Sequence, residues 1–345
     1  MVIRVGLVGY GMASAVFHAP LIASTPGLVL SAVVSSQPDK VRGDFPAVTV
    51  VSTLEELLVL PEITLVVIAT PNELHYAQAR QALAAGKHVV VEKPFVLHAA
   101  QGEELMKLAQ KRQVMLSVFH NCRWNNDFLT IRQLLQEGLL GELSTYEAHY
   151  DRYRPLVRDR WRERAEPGAG VLYDLGAHLI DQALCLFGFP QAVWADVQGQ
   201  RPNAQADDYF HLILSYARSR VILHVGSLVR ASGPRFQLHG SKGSFLKSGF
   251  DSQAEALQAG KHPGDPGWGE DPVEQYGTIT MDIGKLTIAG TIKTLPGCYE
   301  AFYQGIVEAI AASQSVPVTA QEAIDTIRVI EAALQSQREQ RTIIF

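Results

Sequence analysis

What this sequence has little of narrows it first. Three cysteines in 345 residues, Cys122, Cys185 and Cys298, stand far apart with no CxxC spacing. That pattern argues against a disulfide-stapled scaffold or a zinc knuckle and fits a reducing compartment. Positive charge is not in surplus. The 30 Lys and Arg against 35 Asp and Glu leave a formal charge of −5, so nothing electrostatic favours nucleic acid or an anionic membrane as partner. No apolar run approaches the roughly 20 residues of a membrane span. There is no internal repeat and no low-complexity segment, and residues 260–269, rich in Gly and Pro, read as a surface loop. Met1-Val2-Ile3-Arg4-Val5 enters a strand pattern without the regions of a signal peptide, so a cytoplasmic protein is expected. What is present is a globular composition, 47% apolar and 19% charged, at a length that predicts two domains.

The first half alternates short apolar runs with helical patterns. Residues 2–8 read as a strand, Gly9-Tyr10-Gly11-Met12-Ala13-Ser14 as a turn, and residues 13–23 as a helix closed by Pro26-Gly27. Strand, glycine turn and helix in succession are the context that gives a Gly-x-Gly motif meaning. Gly9 permits the tight turn, and Gly11 lets the backbone approach a pyrophosphate held on the helix N-terminus. Ser14 occupies the third glycine position, with a hydroxyl that a phosphate could accept. The second strand, residues 28–34, ends in Ser35-Ser36-Gln37, where an NAD-preferring fold usually carries an acid for the ribose 2′-hydroxyl. Hydroxyls there, with Lys40 and Arg42 nearby, suit a 2′-phosphate; a polar loop that discriminates nothing is the plainer alternative. A capping box at Thr53 and Glu56 opens a helix to residue 60. Further strands end at Thr70-Pro71-Asn72, at Glu92 and at His120-Asn121, with helices over 73–85 and 101–112 between them. Such alternation implies a parallel sheet covered on both faces. His75 and His98 read as solvent-facing, and His18 as a packing or surface residue of the first helix.

Val89-Val90-Val91-Glu92-Lys93-Pro94 is the stretch around which this half is organised. Three valines suit a strand buried on both faces, and Pro94 ends the ladder. Lys93 is therefore held at a strand's C-terminal end, where open α/β sheets place their ligands. A lysine there can be tuned as a proton donor or acceptor, although a solvated Glu-Lys pair in a turn fits those six residues as well.

In the second half the period changes. A helix over 126–137 precedes strand patterns at 142–154, 192–200, 208–216 and 220–228, then a hairpin of 236–239 and 244–247. Strands in succession imply a largely antiparallel sheet. Along 209–215 apolar residues fall on both faces, which predicts that one face packs on helices and the other on a second subunit. Helices near 299–312 and 320–337 close the chain. The helix over 171–187, entered through Gly168-Ala169-Gly170, places Asp174 one turn before His178. A solvated pair, a metal pair lacking a third ligand nearby in sequence, and an acid/base pair completed by Lys93 all fit that spacing.

With the glycine turn, Glu92-Lys93-Pro94 and Gly170-x-x-x-Asp174-x-x-x-His178 in one chain, the sequence resembles the glucose–fructose oxidoreductase/inositol dehydrogenase (Gfo/Idh/MocA) superfamily. Within it the sequence is similar to bacterial NADP-dependent scyllo-inositol dehydrogenases. Val16-Phe17-His18-Ala19-Pro20, Phe119-His120-Asn121-Cys122-Arg123-Trp124, Asp127-Phe128-Leu129-Thr130-Ile131, Tyr153-Arg154-Pro155 and Leu172-Tyr173-Asp174-Leu175-Gly176 carry the likeness. It runs from residue 2 to the final helices, where Pro317-Val318-Thr319 precedes the last. The resemblance implies an α/β Rossmann domain over residues 1–122. It implies a second α/β domain over 123–345, with a largely antiparallel open sheet that builds homodimers or tetramers. It implies NADP, with NAD also possible, as cofactor, a cyclic polyol or sugar as substrate, and no metal. Lys93, Asp174 and His178 are then the catalytic residues. Gly9, Gly11, Met12, Ala13, Ser35, Ser36, Thr70, Asn72, His75, Glu92, Lys93, Asn121, Trp161 and Arg162 hold the cofactor. His120, Asn121, Tyr153, Asp174 and His178 hold the substrate. A cis Lys93–Pro94 bond is expected on the same ground. Two departures stand out: Ser14 replaces the third glycine, and Gln37 stands where close relatives can carry arginine. Hydride transfer is the leading expectation. A glycosidase that borrows nicotinamide oxidation and a non-catalytic dinucleotide sensor are the alternatives on the same fold.

Overall fold

The computed structural model describes residues 2–312 and 314–345. The chain forms two compact units, each assembled from separated segments. The first comprises Met1–Trp124, Gln253–Trp268 and Cys298–Ile324, and the second Asn125–Ser252, Gly269–Gly297 and Asp325–Phe345.

The first unit is built on a six-stranded sheet. Its strands are β1 (Ile3–Val8), β2 (Leu28–Val34), β3 (Thr49–Val51), β4 (Leu65–Ile68), β5 (His88–Glu92) and β6 (Leu116–Phe119), in the order β3-β2-β1-β4-β5-β6. Every neighbouring pair is parallel. The side chains of Leu65–Ile68 and Val89–Val91 are fully buried, as covered parallel strands require. Each such side chain contributes about 1.5–3 kcal/mol relative to an exposed one. The connecting helices are α1 (Ala19–Ser24), α2 (Pro38–Asp44), α3 (Leu54–Leu58), α4 (His75–Ala84) and α5 (Ala99–Arg112). Thr53 Oγ1 accepts from Glu56 N at 3.2 Å, so α3 starts where its capping residues place it. Two local features differ from the sequence reading. The helix expected over 13–23 is broken into a π-helical turn, Ser14–His18, followed by α1. Pro20, in the first turn of α1, has no N–H to give, and the wider turn precedes it. The short elements α2 and β3 occupy a stretch whose pattern is too brief to read.

The second unit holds a nine-stranded sheet. After α6 (Asn126–Gln136) come β7 (Leu143–His149), α7 (Ala177–Phe187), β8 (Ala192–Gln198), β9 (Tyr209–Ser215), β10 (Arg220–Gly226), β11 (Phe236–Gly240) and β12 (Gly243–Lys247). The short α8 (Gln253–Gln258) and, later, α9 (Glu300–Ala312) belong to the first unit. Strands β13 (Gly277–Ile283) and β14 (Leu286–Ile292), then β15 (Ile343–Ile344) after α10 (Ala320–Glu339), complete the sheet. The order is β14-β13-β12-β11-β7-β10-β9-β8-β15, and of these pairs only β7 with β10 is parallel. The β13–β14 hairpin was not singled out from the sequence, and β14 is almost wholly exposed. On β9 the inner residues Phe210, Leu212 and Leu214 are fully buried, while Tyr209, His211, Ile213 and Ser215 lie half-exposed on the opposite face.

Candidate active site

In the first unit the residues singled out by the sequence gather at the C-terminal ends of parallel strands. The glycine turn follows β1, Ser35 and Ser36 follow β2, Thr70 and Asn72 follow β4, Glu92 and Lys93 end β5, and His120 and Asn121 follow β6. The strand order reverses between β1 and β4, the position at which doubly wound sheets open a ligand crevice.

The turn itself fits a dinucleotide. Gly9 has φ of +89°, and a Cβ there would lie 2.9 Å from the Ala69 carbonyl oxygen, so only glycine is accommodated without strain. A Cβ on Gly11 would meet nothing within 4 Å, which leaves the backbone open to close approach. Met12 beside it is exposed and Ala13 half-exposed. Ser14 is wholly buried, so its hydroxyl is not presented to a phosphate. Past β2, Ser35 Oγ accepts from Gln37 N at 3.0 Å, Ser36 is exposed, and the next carboxylate in sequence, Asp39, is solvated and 3.8 Å from Arg42. Lys40 Nζ lies 5.6 Å from the centre of the Tyr10 ring.

The end of β5 is pinned from several sides. Glu92 Oε2 accepts from Lys93 N at 2.7 Å, and Oε1 lies 3.1 Å from His18 Nε2. His18 in turn places Nδ1 2.6 Å from the Tyr303 hydroxyl and is fully buried, so it packs and does not face solvent. Burial alone would raise the Glu92 carboxyl. The His18 hydrogen bond and the charges of His18, Lys93 and His75 outweigh burial and hold it below the usual range. The Lys93–Pro94 peptide is cis.

His75 is a correction to the sequence reading. It does not face solvent but is fully buried, with Nδ1 2.9 Å from the Pro94 carbonyl oxygen and Nε2 2.9 Å from that of Thr70. Burial lowers its pKa, and the two carbonyls offset that only in part. A neutral imidazole donates to one of these carbonyls at a time. With its ring nitrogens facing the Pro94 and Thr70 carbonyls, His75 positions the residue after Lys93. His98, by contrast, is exposed. Asn72, His120 and Asn121 are buried polar side chains at the same strand ends.

The second unit carries Asp174 and His178. They fall on either side of a join: a π-helical turn, Leu172–Gly176, runs into α7. Gly170, φ +88°, admits the chain to this turn beside Asp207. Asp207 Oδ2 accepts from Leu172 N at 2.7 Å, and its carbonyl oxygen accepts from Val171 N at 2.9 Å. Asp207 thus anchors the start of the helix from 35 residues away. Its burial raises its pKa to about 6, against the backbone donors that favour the carboxylate. Asp174 is half-exposed, with Arg162 Nε 3.4 Å from Oδ1, and the Arg162 guanidinium stacks on Trp161 at 4.4 Å. His178 is buried, as are Asp181 and Gln182 one turn on.

Asp174 opens into a pocket of this unit that Tyr150, Arg152, Arg154, Arg162 and Ser227 also line. Tyr153 does not line it. That ring is 43% exposed, with the Arg230 guanidinium 3.8 Å from its centre. Of the pocket's arginines, only Arg162 was given a role from the sequence. Their signal is the run Arg152, Arg154, Arg158, Arg160, Arg162 and Arg164 in an otherwise moderately charged chain. Glu163 and Asp208 engage Arg160 and Arg201, while burial and the neighbouring guanidinium charges lower the pKa of Arg154.

A family model described as the NAD-binding Rossmann fold of the Gfo/Idh/MocA oxidoreductases matches residues 3–120, and the C-terminal alpha/beta domain of the same family matches residues 132–345. The chain is 47% identical to the NADP(+)-dependent scyllo-inositol 2-dehydrogenase IolW of Bacillus subtilis, covering 99% of this chain and 96% of that protein. It is 48% identical to the uncharacterised oxidoreductase YdgJ of Escherichia coli, covering 99% and 98%. The solved structure of yvaA from Bacillus subtilis superposes with a TM-score of 0.97 at 47% identity, covering 99% of this chain and 98% of that one.

Proposed function

The chain belongs to the Gfo/Idh/MocA oxidoreductase family, and from that membership we propose that it transfers a hydride reversibly between NADP and a secondary alcohol of a cyclic polyol or sugar, scyllo-inositol being the favoured type. The observation that carries the reading is the joint presence of Lys93, Asp174 and His178 in a chain so similar over its length to a scyllo-inositol dehydrogenase. Preference for NADP is supported by the absence of a carboxylate at Ser35-Ser36-Gln37 and by Lys40 and Arg42 just beyond. NAD remains a poorer alternative cofactor. The protein is cytoplasmic and assembles as a homodimer or tetramer in this reading.

Oxidising an alcohol removes the hydroxyl proton as hydride leaves the same carbon. When bound, the nicotinamide accepts that hydride and returns it in the reverse direction. The hydroxyl is too weak an acid to ionise unaided near neutral pH, so a base within hydrogen-bond reach is required. His178 takes the proton, as a neutral imidazole is suited to do. Asp174 orients the ring and stabilises the imidazolium. Lys93 donates to the substrate oxygen and stabilises developing alkoxide charge. The backbone of Gly9 to Ala13 holds the pyrophosphate, and Ser35 and Ser36 hold the adenosine ribose. Thr70, Asn72, Asn121, Trp161 and Arg162 complete the cofactor's surroundings, and His120, Asn121 and Tyr153 contact the polyol. Glu92 and His75 act through the backbone on either side of Lys93.

The test is the absorbance of NADPH formed from a panel of inositols and aldoses, with NADP and NAD run in parallel. The expected result is net turnover with at least one cyclic polyol and a higher kcat/KM for NADP. Higher efficiency with NAD would reject the cofactor assignment. A cofactor retained without net turnover, alongside glycoside cleavage, would reject the dehydrogenase in favour of the redox glycosidase.

A further inference from the structure

The half-exposed face of the nine-stranded sheet carries histidines that hydride transfer does not use. Register sets Asp196 opposite His211, His211 opposite His224, and His224 opposite His149. Residues paired directly across strands share a face, so β8, β9, β10 and β7 each contribute one polar residue to a single row. The chain stays extended past β7, with Tyr150 N donating to His224 O and Arg152 N to Gly226 O, both within 2.9 Å. The period of two therefore puts Glu147, His149 and Asp151 on one side.

Asp151 is 8% exposed and sits between two imidazoles. Its Oδ1 lies 2.8 Å from His224 Nδ1 and also accepts from Gly226 N at 3.0 Å, while Oδ2 lies 3.4 Å from His149 Nδ1. Both histidines thus present the same ring nitrogen to one carboxylate. The donor atoms of His149, Asp151 and His224 all lie within 4.8 Å of one another. The surrounding groups match what ligating side chains usually have. His149 Nε2 faces Glu147 Oε2 at 3.4 Å, as a metal-bound histidine turns its other nitrogen to a carboxylate. The Gly226 N–H fixes the orientation of Asp151. The His211 ring centre is 5.8 Å from that of His224.

We propose that His149, Asp151 and His224 bind one divalent transition-metal ion of the zinc class, separate from the residues assigned to hydride transfer. Two imidazoles and one carboxylate are donors for zinc, cobalt or nickel, whereas calcium and magnesium prefer all-oxygen cages. No metal was expected from the sequence, because residues 149, 151 and 224 become neighbours only through the β7–β10 pairing. Water fills the remaining coordination position.

The experiment is calorimetric titration of Zn²⁺ into full-length protein freed of metal by chelator and dialysis, with Co²⁺ absorption as a second readout. One equivalent per chain should bind with micromolar or tighter affinity, and Co²⁺ should give a ligand-field band. His149→Gln and His224→Gln, at half-exposed positions, should each weaken Zn²⁺ binding at least tenfold and abolish that band. Their NADP-dependent turnover should stay at the wild-type level. His178→Gln should bind Zn²⁺ as the wild type does. Absence of Zn²⁺ binding in the wild type, or equal affinity and stoichiometry in both His149→Gln and His224→Gln, would overturn the proposal.

Discussion

Glu92 shows how single residues set the terms of the site. A carboxylate this deeply buried is costly unless its lone pairs are met, and here they are met by His18 and by the backbone N–H of Lys93. The Lys93 amide is thus tied to an acid fixed from inside the unit, and the Pro94 carbonyl is tied to His75. In the proposed chemistry the ammonium of Lys93 and the imidazole of His178 each act on the substrate oxygen, and such groups contribute on the order of 10²–10⁴ in rate. Lys93→Ala and His178→Ala should each lower kcat by about that factor. NADPH affinity, followed by fluorescence titration, should change little, since neither side chain belongs to the phosphate turn. Near-normal turnover in both variants would move the chemistry elsewhere.

Among the elements, two segments that carry the site repeat one device. A π-helical turn follows the glycine entry in each: Ser14–His18 after Gly11, and Leu172–Gly176 after Gly170. Such turns widen the helix at the point where a polar side chain must be aimed off the regular face. In the second case the start of the turn is held by Asp207, whose pKa is raised from 3.8 to about 6 by burial. The sign follows from linkage. The folded state holds the proton more tightly than the unfolded chain, so no penalty exists below the unfolded pKa. Stability then falls as pH rises from about 4 to about 6, by up to roughly 3 kcal/mol, and stays lower above that. Asp207→Asn, which keeps an acceptor for Leu172 N, should remove this slope. Chemical denaturation of wild type and variant between pH 4 and 7 measures the difference directly. Parallel pH profiles for the two would show that Asp207 is not the titrating group.

At the scale of the whole molecule, the exposed face of the second sheet is the feature that asks for a partner. Trp194, Ile213 and Ile222 lie level across β8, β9 and β10, half-exposed or exposed, while the opposite face of these strands is closed. Ile283, Leu286 and Ile288 add exposed apolar side chains on the β13–β14 hairpin at the sheet edge. Apolar area of this kind is normally covered in a stable protein. In the proposed assembly this face pairs with its copy in a second chain, as a dimer or a dimer of dimers with twofold symmetry. Light scattering at micromolar concentration should return twice or four times the 37.8 kDa chain mass, and a monomer would contradict the assembly.

Local chemistry was legible from the sequence wherever the signal repeats over a few residues. The apolar runs of β1, β4 and β5, the alternation of β9 and β10, the Thr53 cap and the glycine turn after β1 all lie in contiguous stretches, and contiguous patterns determine strands, caps and turns. The motifs at Lys93, Asp174 and His178 were readable for the same reason, as was the family they point to. Tertiary structure alone decided what depends on partners distant in the chain. His75 is buried because the Pro94 and Thr70 carbonyls receive it, and the helix carrying Asp174 is anchored by an acid 35 residues later. The same holds for the return of residues 253–268 and 298–324 to the first unit, and for the meeting of His149, Asp151 and His224. Periodicity records which face of an element is apolar. It does not record which other element supplies the donor, the carbonyl or the charge that a buried polar group requires, because that choice is made only when the strands pair.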